Sequence, residues 1–137
     1  MTQLKWIDDM RFLIKTDSGF SIVMDSSEEN GGADSAPRPM EMVLASLAGC
    51  TGMDVVSILK KMRQNVTGLE ISVESERSSD HPKIYTKILL KYVIKGSGLN
   101  EDNVKRAIEL SQEKYCSVSA MLKNSAVVSY EYSIIGE

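Results

Sequence analysis

The chain has 137 residues, 42% hydrophobic and 26% charged, with a net charge of −3, ordinary figures for one soluble globular domain spanning 1–137. Its 16 basic residues are scattered without a patch, which argues against a nucleic-acid partner. Two cysteines, at 50 and 116, and a single histidine are too few for a secreted disulfide scaffold, and the lack of a CxxC or CxxH neighbour argues against a zinc site.

The opening MTQLKWIDDMRF has no apolar core of the kind a secretory signal carries, so a cytoplasmic protein is expected. Leu4 to Lys15 alternates loosely through Leu4, Trp6, Met10, Phe12 and Ile14 and predicts one half-buried strand. A turn at Asp17-Ser18-Gly19 and a second strand, Phe20 to Met24, make a hairpin. Asp25 to Arg38 is polar, contains glycines and ends at proline; it predicts a long loop of the kind that often carries function.

Pro39 to Arg63 predicts the central helix. Proline suits the first helical position. Glu41 near the start and Lys60, Lys61 and Arg63 near the end match the macrodipole. Between them apolar residues point all round the axis, as in a membrane span or a helix covered on every side. Asp54 and the Gly49/Gly52 pair near its centre argue against a span. A chain this short rarely covers a helix completely, so a second subunit is expected over it. The two glycines each cost about 1 kcal/mol in a helix; close backbone approach, or room for a ligand beside Cys50, would offset that.

Gln64 to Gly68 is the exit turn. Leu69 to Arg77 and Ile84 to Lys95 alternate as strands, the second with Ile84, Thr86, Ile88, Leu90, Tyr92 and Ile94 on one face. Asn100 caps a helix running to about Lys114, with Val104, Ala107 and Ile108 buried. A break near Cys116 precedes a short helix opening at Ser117 or Ser119, and Ala126 to Ile135 is the last strand. The order ββαββααβ is an α+β pattern rather than a doubly wound one.

Cysteine most often packs as a small hydrophobe. Here two features favour chemistry: small residues surround Cys50, and Cys116 stands at a helix N-terminus, where amides lower a thiol pKa. Asp54 lies one turn after Cys50 on the same face and would orient a proton, a cation or a neighbour in the core. Ser46 and Thr51 read as packing residues bonded to the preceding helical turn, and His81 as solvated.

The run PMEMVLASLAGC from Pro39 to Cys50, together with Lys-Tyr-Cys-Ser-Val-Ser around Cys116, resembles the OsmC/Ohr family and its YhfA-like branch over nearly the whole chain. The resemblance implies an OsmC-like fold, a sheet packed on the long central helix, and an intertwined homodimer. It also implies a thiol-dependent peroxidase that reduces organic hydroperoxides in oxidative or osmotic stress defence, with no metal or organic cofactor. Cys50 would attack the peroxide, Cys116 would close a disulfide, and a lipoyl-type or other dithiol would restore both thiols. The family's peroxidases carry a Glu directly after the helix-opening proline, holding an Arg over the thiolate. Here that position is Met40, with Glu41 one residue later and turned about 100° round the helix. Arg38 and Arg11 are the only arginines before the helix; Arg38 adjoins its start, and Arg11 is expected to face solvent. The alternatives are a non-catalytic relative binding a small apolar or acyl ligand at the dimer interface, and a structural dimer whose cysteines only pack.

Overall fold

The computed structural model describes residues 1–137 as two compact units, Met1–Ala45 and Ser46–Glu137. The first unit is an antiparallel sheet of β1 (Gln3–Asp8), β2 (Arg11–Lys15) and β3 (Ser21–Met24) in that order, followed by an irregular loop. The expected single strand over Leu4–Lys15 is therefore two strands. The chain reverses at Asp9-Met10, with Asp9 at φ 39°, and the Asp8–Arg11 ion pair and a Trp6 Nε1–H donation to the Asp9 carbonyl (3.0 Å) close the turn. Arg11, expected in solvent, is half-buried in that pair. Alternation could not reveal the reversal, because Leu4 pairs with Ile14 and Trp6 with Phe12. Cross-strand partners share a face, so Leu4, Trp6, Phe12 and Ile14 stay on one side of the hairpin, and parity slips only beside the turn, where Asp8 pairs with Arg11.

The loop after β3 is organised by one carboxylate. Asp25 is 2% exposed and accepts from the N–H groups of Ser26 (2.7 Å), Ala33 (3.2 Å) and Ser35 (3.0 Å) and from Ser35 Oγ (2.6 Å). A side chain at Gly32 would put its Cβ 2.0 Å from the Ser26 carbonyl oxygen, so only glycine lets the loop close round the carboxylate. The Ser35 hydroxyl above all, then the amides, bring the Asp25 pKa down to about 2 against the cost of burial. Depression of a carboxylate pKa contributes stability above its ordinary range that is lost as pH falls through the folded value. Amide-exchange protection at Ala33 and Ser35 should thus be steady above about pH 4 and decay toward about pH 2, a dependence that Asp25→Asn should abolish.

Helix α1 (Pro39–Lys61) runs from the first unit into the second. Glu41 Oε1 accepts the Arg38 backbone N–H at 2.9 Å, the return half of a capping box. Beyond Lys61 the Gln64 N–H reaches the Leu59 carbonyl at 2.9 Å and Arg63 takes φ 58°, so an arginine occupies the left-handed position usually given to glycine. By length and composition this helix could span a bilayer, but it carries a buried stripe of Leu47, Thr51, Val55 and Leu59 at i, i+4 spacing. The side that carries Gly49 and Met53 is open: Met53 is 77% exposed, and no atom lies within 4 Å of where a Gly49 Cβ would sit.

The second unit adds β4 (Asn65–Arg77), β5 (Tyr85–Ser97) and β6 (Val127–Gly136). Central β5 is antiparallel to β4 and parallel to β6. Ile88, Leu90, Tyr92 and Ile94 form its buried face, as alternation predicts; the expected start of that face fails, since Tyr85 is buried and Ile84 exposed, beside an irregularity in the β4–β5 register at Glu76/Arg77. Between β5 and β6 run α2 (Glu101–Leu110) and α3 (Ser117–Leu122). Asn100 Oδ1 caps α2 by accepting the Asn103 N–H (3.0 Å), and Val104, Ala107 and Ile108 are its buried stripe. The helix expected to reach Lys114 ends as an α-helix at Leu110 and widens into a π turn, Ser111–Tyr115. The class is α+β throughout, with one more strand than the sequence suggested.

Candidate active site

The π turn sets the site. It closes with the Cys116 N–H donating to the Ser111 carbonyl at 2.7 Å, and Cys116 then serves as N-cap of α3, its Sγ accepting the Ser119 N–H at 3.4 Å. Single extra-residue turns of this kind recur where helices carry function. Cys50 and Asp54 project from one face of α1. The two sulfurs and an Asp54 carboxylate oxygen all lie within 4.8 Å of one another, and both thiols are free. The fold thus unites two cysteines 66 positions apart in sequence with the acid one helical turn beyond the first.

The two thiols stand in different surroundings. Cys50 is half-buried, whereas Cys116 is 3% exposed. Burial pushes the Cys116 thiol up to about 11; the Ser119 amide opposes this, and the neighbouring Cys50 and Asp54 reinforce it. Position at a helix N-terminus was expected to lower this pKa, but desolvation outweighs the single amide.

Behind the thiols lies a fully satisfied polar network that the sequence did not disclose. Ser111 Oγ donates to Asp54 Oδ2 at 2.9 Å. A hydroxyl has one proton to donate, and this fixes the hydroxyls in series: Tyr92 OH to Thr51 Oγ1 (2.7 Å), Thr51 to Ser111 (2.7 Å), and Ser111 to Asp54. Gln112 Nε2 donates to Thr51 Oγ1 (3.1 Å) and Tyr92 OH (3.2 Å), while its Oε1 accepts from Ser119 Oγ (2.7 Å). Lys123 Nζ donates to the Gln112 carbonyl. Burial raises the Tyr92 pKa to about 12, so the phenol remains a donor. Thr51, expected to bond within its own helix, instead joins the helix to β5 and to the π turn. No buried side-chain N or O is left without a partner, as a polar core requires.

Arg38 and Glu41, the remaining candidates, belong to the first unit. Arg38 is engaged by the Asp34 carboxylate, the Ala36 carbonyl (3.2 Å) and, at 3.9 Å, Glu41, and Glu41 is used as a helix cap. Cavities adjoin the second-unit site. One of about 360 Å³ is lined by Asp54, Ser57, Ile58, Lys61, Met62, Leu110 and Tyr115; a more open one lies along Gly49, Gly52, Met53, Val56 and Leu69.

The OsmC family model, described as OsmC-like protein, matches residues 31–131. Protein YhfA of Escherichia coli strain K12 is 42% identical over 133 residues, covering 97% of this chain and 96% of that protein. The crystal structure of a hypothetical protein from Aquifex aeolicus VF5 shares 37% identity at TM-score 0.82, over 98% of this chain and 96% of that one. OhrB of Bacillus subtilis, an organic hydroperoxide resistance protein, shares the fold at TM-score 0.62 and 18% identity, over 97% and 98% of the two chains. With a family match across most of its length and a relative 42% identical over nearly all of it, the chain belongs to the OsmC-like protein family.

Proposed function

We propose that the protein is a thiol peroxidase for organic hydroperoxides, working in the cytoplasm as a single-domain subunit of a homodimer. The observation that carries this is the meeting of a half-buried and a buried free thiol beside a carboxylate. Cys50 is the attacking sulfur, since it is the more accessible. Asp54 takes its proton; the thiolate attacks the terminal peroxide oxygen, the O–O bond breaks, and Cys50 becomes a sulfenic acid. The departing alkoxide takes the proton back from Asp54 and leaves as an alcohol. Cys116 then attacks the Cys50 sulfur, its thiol proton leaving with the hydroxyl as water, and an external dithiol reduces the disulfide by exchange. Apolar walls at Ile58, Met62 and Leu110 beside Asp54 suit an organic group. OhrB of Bacillus subtilis, which shares the fold, is named for resistance to organic hydroperoxides.

Reduced protein should therefore lose its thiols faster with cumene hydroperoxide than with hydrogen peroxide, because burial of the organic group contributes about 0.8 kcal/mol per methylene-sized unit. Equal rates, no faster than a free thiol's, would reject catalysis. A second reading, a non-catalytic binder of an apolar or acyl ligand, is favoured by Met40 and by the engagement of Arg38 with Asp34 and Glu41; co-purified acyl species found by mass spectrometry would support it. Dimerisation is supported by the apolar side chains left open, Met53 at 77% and Trp6 at 62% among them. Sedimentation at micromolar concentration should give twice the 15.1 kDa chain mass, and a stable 15.1 kDa species would refute the pairing.

A further inference from the structure

We propose that the reduced site is also a binding site for a soft divalent cation of the zinc type, with Cys50, Asp54 and Cys116 as its three protein ligands. Binding rests on the geometry alone; only its consequence, protection of the thiols from peroxide, rests on the peroxidase reading.

The sequence argued against zinc because neither cysteine has a CxxC or CxxH neighbour. The fold supplies the set differently. Cys50 and Asp54 stand at i, i+4 on α1, the spacing that lets two helical side chains share one ion, and the N-cap position of α3 brings Cys116 to them. All three ligand atoms lie within 4.8 Å of one another. Zinc–sulfur and zinc–oxygen bonds of about 2.3 and 2.0–2.2 Å, arranged tetrahedrally, need ligand atoms about 3.5–3.8 Å apart, which that cluster reaches by small side-chain rotations.

Charge points the same way. Each of the three groups is anionic when it ligates, and their convergence favours an added positive charge. Two thiolates and one carboxylate around a divalent ion leave a net charge of −1, with release of both thiol protons. Thiolate donors select zinc-like ions over magnesium or calcium. The supporting shell is built as well: Ser111 Oγ orients the carboxylate through Oδ2, and the Ser119 N–H is already on the Cys116 sulfur. Three protein ligands leave a fourth position open, the arrangement of exchangeable rather than sealed sites. The half-buried Cys50 and the cavity at Asp54 give the ion a route in.

The test is an anaerobic cobalt(II) titration of reduced, chelator-stripped protein, followed by zinc competition. Expected are a thiolate-to-cobalt charge-transfer band saturating at one ion per chain, intense tetrahedral visible bands, and displacement of both by zinc. Cys50→Ser and Cys116→Ser should each lose about half of the charge-transfer intensity. Asp54→Asn, with both sulfurs kept, should retain the band but bind about tenfold or more weakly. Prior oxidation to the disulfide should abolish binding. No charge-transfer band at one equivalent, or binding unchanged by oxidation or in both cysteine variants, would overturn the proposal. Zinc-loaded protein should keep its thiols in organic hydroperoxide longer than zinc-free protein. If cobalt binds as expected while zinc-free thiols react no faster than a free thiol, the metal site stands and the peroxidase reading falls.

Discussion

The Cys50→Ser protein is expected to show no turnover of organic hydroperoxide, while Cys116→Ser retains the first oxidation and loses the second step. The asymmetry follows from where the thiols sit. Cys50 lies half-buried on α1, one turn before Asp54, which lines a cavity, whereas Cys116 is 3% exposed, with burial pushing its pKa up to about 11. A serine at 50 leaves only a protonated thiol that peroxide reaches poorly. A serine at 116 leaves a sulfenic acid with no neighbour to condense with, and excess peroxide should drive it to sulfinic acid. Intact mass measured after one and after ten equivalents of peroxide separates these outcomes. Equal inactivation of the first oxidation in both variants would show that the roles are not divided this way.

Replacing Gln112 with alanine should destabilise the reduced protein by about 2–4 kcal/mol and slow disulfide closure without slowing the first oxidation. Gln112 is 5% exposed, and its side chain satisfies Thr51, Tyr92 and Ser119 together. Its loss takes one donor each from Thr51 Oγ1 and the Tyr92 hydroxyl and leaves the buried Ser119 Oγ–H without its acceptor, besides opening a cavity. Ser119 also supplies the N–H on Cys116 Sγ, so loosening it displaces the second thiol more than the first. Urea melts at one fixed protein concentration give the stability change; concentration must be held because pairing of chains adds to apparent stability. A change under 0.5 kcal/mol, of the size ordinary surface substitutions cause, would mean that water or a shifted neighbour replaces the amide.

Local chemistry made much of the fold readable. Pro39, Glu41 and the basic last turn marked α1, Asn100 marked the start of α2, and alternation marked β5 from Ile88 to Ile94. Parity hid the reversal at Asp9, because the hairpin pairs even residues with even ones. The π turn was hidden because Ser111 to Tyr115 are all compatible with a continuing α-helix; the difference lies in bonding five residues apart, as from Cys116 N–H to the Ser111 carbonyl. At the candidate site, Cys50 was legible from its small-residue context, Cys116 from its place at a helix start and Asp54 from helical spacing. Thr51, Tyr92, Ser111, Gln112 and Ser119 were not, because each looks locally like a packing or surface residue. Only the tertiary fold, which brings α1, β5 and the π turn together, gives their polar atoms one another as partners. Glu41 stands out in the sequence by its charge, and its place three residues after Arg38 makes it a cap for the Arg38 amide.

The most direct measurement is peptide mass mapping, under non-reducing conditions, of wild-type protein after one equivalent of cumene hydroperoxide. The expected product is a disulfide joining Cys50 to Cys116 within one chain, formed with loss of both thiol hydrogens and reversed by a dithiol. Recovery of both free thiols, or a disulfide linking two chains in place of the internal one, would contradict the assignment of this pair as the reactive centre.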